Sequence, residues 1–486
     1  MQKLGVVGAG PMGSGIAQIG LQAGIEVILY DLDRVALEKA AESIFGFIAK
    51  LEDKGKLDAG ATDRARQNLT LANSTADFSD CETVVEAIVE RLEPKQSLFA
   101  DLESHVSENC VLATNTSSLS VAAIAQGCQR KDRVCGLHFF NPVPLMKLVE
   151  VIRAPATSDE IVARATALSK QIGKTPVTVK DGPGFLVNLQ GRALALEGLA
   201  IAQEQVADPA VIDRIMRDGA GFRMGPFELM DLTGIDVNYA ATTFIYEGYQ
   251  HDPRLRTTTR HALMNDAGLY GRKSGQGFFS YGEDMGWPPS PEASDKPPRI
   301  RPAIAGDGPE FSALAEAMEW DSGNDVTLIA PIGEDCATAC ARMGLDPKTT
   351  VAIDLTAFDN RHLTVMAAVG GEAASQKVAD WLRVGGYTVE VIADSPGFVL
   401  QRILGMIANL GCELAQIGVG SPEDIDLAMK LAQNYPKGPV EIAEWLGPKK
   451  THDIMRQLQT ITGSDRYRPS LWLRRRAQLG LSAYAV

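Results

Sequence analysis

The opening 31 residues constrain the fold more than any other stretch: an apolar run, 3-KLGVVGAG-10, passes directly into PMGSGIAQIG, and a second apolar run, VILY, stops at Asp31. Gly8, Gly10 and Gly13 thus form G-x-G-x-x-G between a predicted strand and a predicted helix. Each glycine has a separate use. Gly8 permits a tight turn, Gly10 lets the backbone approach a pyrophosphate, and Gly13 lets the helix close on the strand, while the helix amino terminus favours phosphate charge. An acid at position 31 meets ribose hydroxyls and repels a 2′-phosphate, so the pattern points to NAD rather than NADP. A glycine-rich turn without a ligand is the alternative, but it leaves the register of strand, helix and acid without a reason.

Further apolar runs follow at 69-LTLANS-74, 83-TVVEAIVE-90, 110-CVLATNTSS-118 and 134-VCGLHFF-140, separated by helical patterns that include residues 35–68 and a helix carrying Lys95. This alternation predicts a doubly wound parallel sheet whose ligands sit at the carboxyl ends of the strands, where Glu90, Ser117 and Asn141 fall. Lys50, Lys54 and Lys56 cluster near Gly55. By itself that cluster reads as a solvated helix face.

After 134–140 the chain breaks at Asn141-Pro142-Val143-Pro144 and an apolar segment with Lys147 and Glu150 resumes. A strand that turns there and returns can set His138 beside Glu150. An imidazole with a carboxylate on one nitrogen is a tuned base, although such a pair also fits a purely structural role.

The formal charge of -14 argues against a nucleic-acid partner. The seven cysteines are odd in number and irregularly spaced, as expected of reduced thiols in a cytosolic protein. Cys336 and Cys340 have no histidine or second cysteine pair near them and read as core residues, so no metal site is expected. No segment reads as a leader or a membrane span, and a cytoplasmic chain with no membrane partner is expected.

From Pro183 a long apolar helix is predicted, with more helices as far as about Gly268, and Asn188 lies near its start. Residues 286–302, GWPPSPEASDKPPRIRP, read as a linker. Beyond it the chain repeats itself. DGPGFLVNLQG at 181 aligns with DSPGFVLQRIL at 394, an offset of 213 that also brings MGPFELMDLTG onto KGPVEIAEWLG without a gap. Gln401 replaces Asn188 in the copy. Between linker and copy, the strands DVTLIAP, TVAIDL and YTVEVIAD lack any dinucleotide fingerprint. The expected organisation is 1–181 α/β, 182–285 all-α, 286–302 linker, 303–393 degenerate α/β, and 394–486 a second helical copy packed on 182–285 as an internal pseudo-dimer, with other surfaces left for any homo-oligomer.

Ser117, the His138-Phe-Phe-Asn-Pro segment, Met146-Lys147-Leu148-Val149-Glu150, Asp181-Gly-Pro-Gly-Phe with Asn188, and Met224-Gly-Pro-Phe-Glu228 together resemble the L-3-hydroxyacyl-CoA dehydrogenases. The remainder resembles the longer bacterial members with a duplicated carboxyl-terminal domain, of the phenylacetate-degradation type. The resemblance implies a Rossmann-type NAD-binding domain followed by an all-α domain, and an acyl-CoA thioester as substrate. It implies His138 as the base held by Glu150, with Ser117 and Asn188 positioning substrate oxygens. It also implies Gly8, Gly10, Pro11, Met12, Gly13, Asp31, Glu90, Lys95, Ser117, Asn141 and Lys273 as NAD contacts, and Lys54 or Lys56 as CoA contacts. 3-Hydroxyadipyl-CoA and 3-hydroxybutyryl-CoA both suit this chemistry. Dehydrogenases of the 3-hydroxyisobutyrate or 6-phosphogluconate type share the layout but act through a lysine, and none replaces His138 and Glu150. A non-enzymatic protein of the same fold, as some lens crystallins are, would not need every catalytic position intact.

Overall fold

A computed structural model describes residues 3–282, 298–306, 309–318 and 323–485. The chain divides into two compact units, Met1–Asn188 with Gly418–Gln433, and Leu189–Ile417 with Asn434–Val486.

The first unit is built on eight strands: β1 Lys3–Val7, β2 Glu26–Tyr30, β3 Leu69–Leu71, β4 Thr83–Glu86, β5 Val111–Thr114, β6 Val134–Phe139, β7 Leu148–Arg153 and β8 Thr175–Lys180. Their order is β3-β2-β1-β4-β5-β6-β7-β8, and every neighbouring pair is parallel except β6 and β7. β4, β5 and β6 are buried along their whole length, which is why they read as continuous apolar runs. The chain runs outward from β1 through β2 to β3 and then crosses back to β4 beside β1. That reversal opens a crevice at the carboxyl ends of β1 and β4.

Three boundaries differ from the sequence expectation. β4 stops at Glu86 because the Glu86 carboxylate accepts the N–H of Ile88 and turns the chain, so Glu90 sits in a loop. β5 likewise stops at Thr114. The helix expected from Pro183 begins only at Val187, halts after Gln190, and resumes as Arg192–Gln203. Phe185 adopts a left-handed conformation (φ 47°), and a side chain from β7 takes the amides of Leu186 and Val187.

The second unit holds the helical segments and a five-stranded sheet of β9 Pro302–Ile304, β10 Val326–Ile329, β11 Thr350–Asp354, β12 His362–Met366 and β13 Thr388–Val391. Its order is β13-β12-β11-β10-β9, and only β11 and β12 are antiparallel. This repeats the sense of β4 to β8: two parallel pairs, one antiparallel pair, one parallel pair. The segment is therefore the second half of the first sheet without β1, β2 and β3, and without the glycine turn. Two strands escaped sequence reading. β9 starts on Pro302, at the end of the expected linker, whose residues 286–297 lie outside the described residues. HLTVM of β12 went unread although it is longer than β10 and β13.

The repeat extends to individual hydrogen bonds. In the first unit Lys180 N–H donates to Val419 O at 2.9 Å. In the second, Ala393 N–H donates to Val206 O at 2.9 Å, both partners moved by the sequence offset of 213. Asp181 caps the turn Val121–Ile124 through the N–H groups of Val121 and Ala122, and its counterpart Asp394 caps the helix Cys336–Met343 through those of Cys336 and Ala337. The helix Pro422–Gln433 of the second copy belongs to the first unit.

Across the two copies in the second unit, Arg402 is fully buried on Leu400–Gln416 and meets Glu197 at 2.8 Å and Glu204 at 2.7 Å. Arg466 closes the network on the other Glu197 oxygen at 3.0 Å. Burial pushes the Glu197 carboxyl up, but the two guanidinium groups outweigh it and hold it below the ordinary range. Cys336 and Cys340 are buried, with their sulfurs 4.0 Å apart. Among the described residues no cluster of three metal-ligating side chains occurs, and no helix is long and apolar enough to cross a membrane.

Candidate active site

β6 and β7 are antiparallel, and their register sets His138 directly opposite Glu150. Opposed side chains on one face of such a pair are close neighbours. His138 Nδ1 lies 2.6 Å from Glu150 Oε2. Glu150 is completely buried, and its other oxygen accepts N–H groups from Leu186 at 3.1 Å and Val187 at 2.9 Å. Three donors thus replace the water this buried carboxylate has lost. With Nδ1–H committed to Glu150, Nε2 is the ring nitrogen left for a reactant. The rings of Phe140 and Phe185 flank the imidazole, with centroids 4.5 and 5.7 Å away.

His138 lines a pocket of about 380 Å³ with Met12, Glu90, Lys95, Ser117, Asn141 and Asn188. Seven of the residues singled out from sequence therefore converge on one cavity at the carboxyl ends of β4, β5 and β6. Lys95 is buried between two acids, with Nζ 2.5 Å from Glu86 and 3.2 Å from Glu90. Glu90 accepts from the Thr116 hydroxyl at 2.7 Å and from the N–H groups of Ser117 at 2.9 Å and Ser118 at 3.1 Å. Burial pushes the Glu90 carboxyl up, but the Thr116 hydroxyl, the Lys95 ammonium and the Ser117 and Ser118 donors outweigh it and hold it down at about 2. Through these donors Glu90 pins the Ser117 loop at the pocket.

The glycine turn lies beside this pocket and suits a dinucleotide. Gly8 has φ 106°, and a Cβ on Gly13 would strike the Gly8 carbonyl oxygen. A Cβ on Gly10 would meet nothing within 4 Å, which leaves the open approach a pyrophosphate needs at the amino terminus of Pro11–Gln22. Asp31 stands at the end of β2, and its Oδ2 accepts the N–H of Ala9 at 2.7 Å. The carboxylate so close to the turn leaves Oδ1 toward Asp33 N–H at 2.9 Å.

Three predicted contacts remain. Lys54 and Lys56 are exposed beyond the helix Arg34–Asp53. Lys273 belongs to the second unit and pairs with Asp236 at 2.5 Å. Sequence reasoning missed Glu86 and Lys174 and gave Asn115 and Thr116, inside the Asn-Thr-Ser-Ser cluster 115–118, no role of their own. Asn115 accepts the Phe139 N–H at 2.9 Å and so fixes the strand next to His138. Lys174 donates to the carbonyls of Val143 and Met146, bracing the loop after Asn141, and burial pulls its amine down to about 8. A signal was available only for Glu86, a charge ending an otherwise apolar strand.

Residues 3–182 match the family model described as 3-hydroxyacyl-CoA dehydrogenase, NAD binding domain, and residues 184–281 and 397–483 match its C-terminal domain. The chain is 37% identical to the 3-hydroxyadipyl-CoA dehydrogenase of Escherichia coli K12 over 99% of its own length and 98% of that protein. A solved structure of an Escherichia coli K12 protein described as 3-hydroxybutyryl-CoA dehydrogenase superposes with a TM-score of 0.89 at 36% identity, covering 98% of each chain. The human mitochondrial hydroxyacyl-coenzyme A dehydrogenase is 38% identical over 57% of this chain and 90% of that protein. The chain belongs to the 3-hydroxyacyl-CoA dehydrogenase family and is an NAD-dependent oxidoreductase of 3-hydroxyacyl-CoA thioesters.

Proposed function

We propose that His138 is the acid and base of this reaction and that Glu150 holds it in place. The observation that carries this reading is the opposed pair in β6 and β7, with Nδ1 2.6 Å from a carboxylate whose other oxygen is held by two backbone amides. In oxidation Nε2 takes the proton of the 3-hydroxyl, and Glu150 balances the positive charge that forms on the ring. In reduction the imidazolium returns that proton to the developing alkoxide. NAD, when bound, supplies the acceptor for the hydride from C3. Ser117 and Asn188 position the substrate oxygens, the turn Gly8 to Gly13 and Asp31 hold the dinucleotide, and Glu90, Lys95, Asn141 and Lys273 complete its surroundings. Lys54 and Lys56 offer cations to the CoA phosphates.

The preferred substrate in this reading is 3-hydroxyadipyl-CoA, placing the enzyme in phenylacetate catabolism in the cytoplasm. Its support is the relative of that name, matched along nearly the full length of both chains. The second reading, 3-hydroxybutyryl-CoA, is favoured by the description of the superposed structure. Steady-state rates with both thioesters decide between them: kcat/KM is expected to be higher for the dicarboxylyl substrate, and a preference for the short chain overturns that assignment. We also infer that the two helical copies form an internal pseudo-dimer, supported by the buried Arg402 to Glu197 bridge, leaving other surfaces for any homo-oligomer.

A further inference from the structure

The second sheet carries a cavity of about 380 Å³ at the carboxyl ends of β9, β10 and β11, lined by residues that follow each strand: Gly306, Ala330 and Leu355. In the first unit the pocket of His138 occupies the matching place, after β4, β5 and β6. Gln401 lines the second cavity, and its repeat counterpart Asn188 lines the first. The acid–base pair is gone: Leu363 holds the repeat position of Glu150, and extending the β11 and β12 register by one residue sets Leu355 opposite it. The copy keeps the crevice of an α/β sheet and loses the chemistry, so it can bind and not catalyse.

What remains is polar at one end. Asp354 is 2% exposed, and its Oδ1 accepts from Thr356 N–H at 3.0 Å and Gln401 Nε2 at 3.2 Å. Its Oδ2 is buried with no partner, and so is the hydroxyl of Thr356. Gln401 cannot turn to help, because its carbonyl oxygen accepts Gly333 N–H at 2.9 Å. An unpaired buried carboxylate oxygen is destabilising unless something donates to it. Phe311, Ile329 and Met343 give the rest of the lining an apolar character, and it includes two cationic residues, Lys450 and Arg342, the latter paired with Glu334 at 2.8 Å. The pairing of Asp354 and Thr356, two residues apart on the lining, offers an acceptor and a donor. Its complement is an amino group beside a ring nitrogen on a flat apolar body, with an anion for the lysine.

We propose that this cavity binds an adenine nucleotide. The base amino group donates to Asp354 Oδ2, the neighbouring ring nitrogen accepts from the Thr356 hydroxyl, and the phosphate faces Lys450. Two sources share this chemistry: a free adenine nucleotide and the adenylate end of coenzyme A. The test is calorimetric titration of AMP into the full chain saturated with NADH, which closes the dinucleotide site to AMP. One AMP per chain is expected, and IMP, which carries a carbonyl where AMP has the amino group, is expected to bind at least about tenfold more weakly. Asp354→Asn puts a donor where the ligand also donates, and Thr356→Val removes the hydroxyl. Each is expected to weaken AMP about tenfold or more while NADH affinity stays unchanged, which reports an intact fold. Displacement of AMP by coenzyme A identifies the thioester carrier as the source, and failure to displace identifies the free nucleotide. Absence of AMP binding to the NADH-saturated chain, equal affinity for IMP, or unchanged affinity in both variants overturns the proposal.

Discussion

Glu150 divides its two oxygens between two tasks, one holding the His138 ring and the other holding the first turn of the helix at Val187. His138→Gln removes the base and is expected to lower turnover about a hundredfold or more, with NAD affinity nearly unchanged. Glu150→Gln is expected to do the same, because an amide nitrogen must then face either the Nδ1–H or the two backbone donors. Single-turnover rates and NAD titrations check both, and near-normal turnover in either variant removes the pair from the mechanism. Glu90 makes a separate claim about pH. Its folded carboxyl titrates at about 2 against an ordinary 4.5. The folded state therefore binds this proton less readily than the unfolded chain, and the resulting stability is present above about 4.5 and lost as pH falls through about 2. Denaturant midpoints of wild type and Glu90→Gln should converge across that interval as pH drops. A gap that stays constant there means Glu90 is not the titrating group.

At the scale of elements, the glycine turn and the β6–β7 pair do most to position the site. Gly13→Ala places a methyl group against the Gly8 carbonyl, so the helix Pro11–Gln22 must shift away from β1. Overpacking of this kind costs about 1–3 kcal/mol. The measurable consequence is a weakening of NAD by about tenfold or more, since the helix amino terminus leaves the phosphate position. Retained affinity in a folded variant would place the dinucleotide somewhere other than this turn.

For the whole molecule, the buried charges between helical copies are the critical feature. Arg402 is fully buried, contributed by the second copy, and its loss leaves Glu197 with Arg466 alone among its cationic partners. Breaking one side of a buried ion network costs about 3–5 kcal/mol. Arg402→Met is therefore expected to lower the urea midpoint of the unit that holds both copies, and a midpoint unchanged within error would show that the copies do not depend on this bridge. The reciprocal bonds from Lys180 to Val419 and from Ala393 to Val206 fit a duplication that has kept its backbone joints while losing its catalytic residues.

The sequence by itself determined the local and repeated features of this protein. A glycine turn between strand and helix has a fixed spacing, an ungapped offset of 213 survives divergence, and a proline-broken apolar run folds back on itself. Each is a short-range constraint, so His138, Glu150 and the dinucleotide turn were legible. Only the tertiary structure decided what surrounds them. Asn115, Thr116 and Lys174 act on the site through contacts between distant strands and loops, which no periodicity records. The exchange of Pro422–Gln433 into the first unit, and the half-sheet hidden in residues 303–393, depend on which surfaces find each other once the chain collapses. The buried Asp354 oxygen is of the same kind: its missing partner is a property of a cavity, and a cavity exists only in three dimensions.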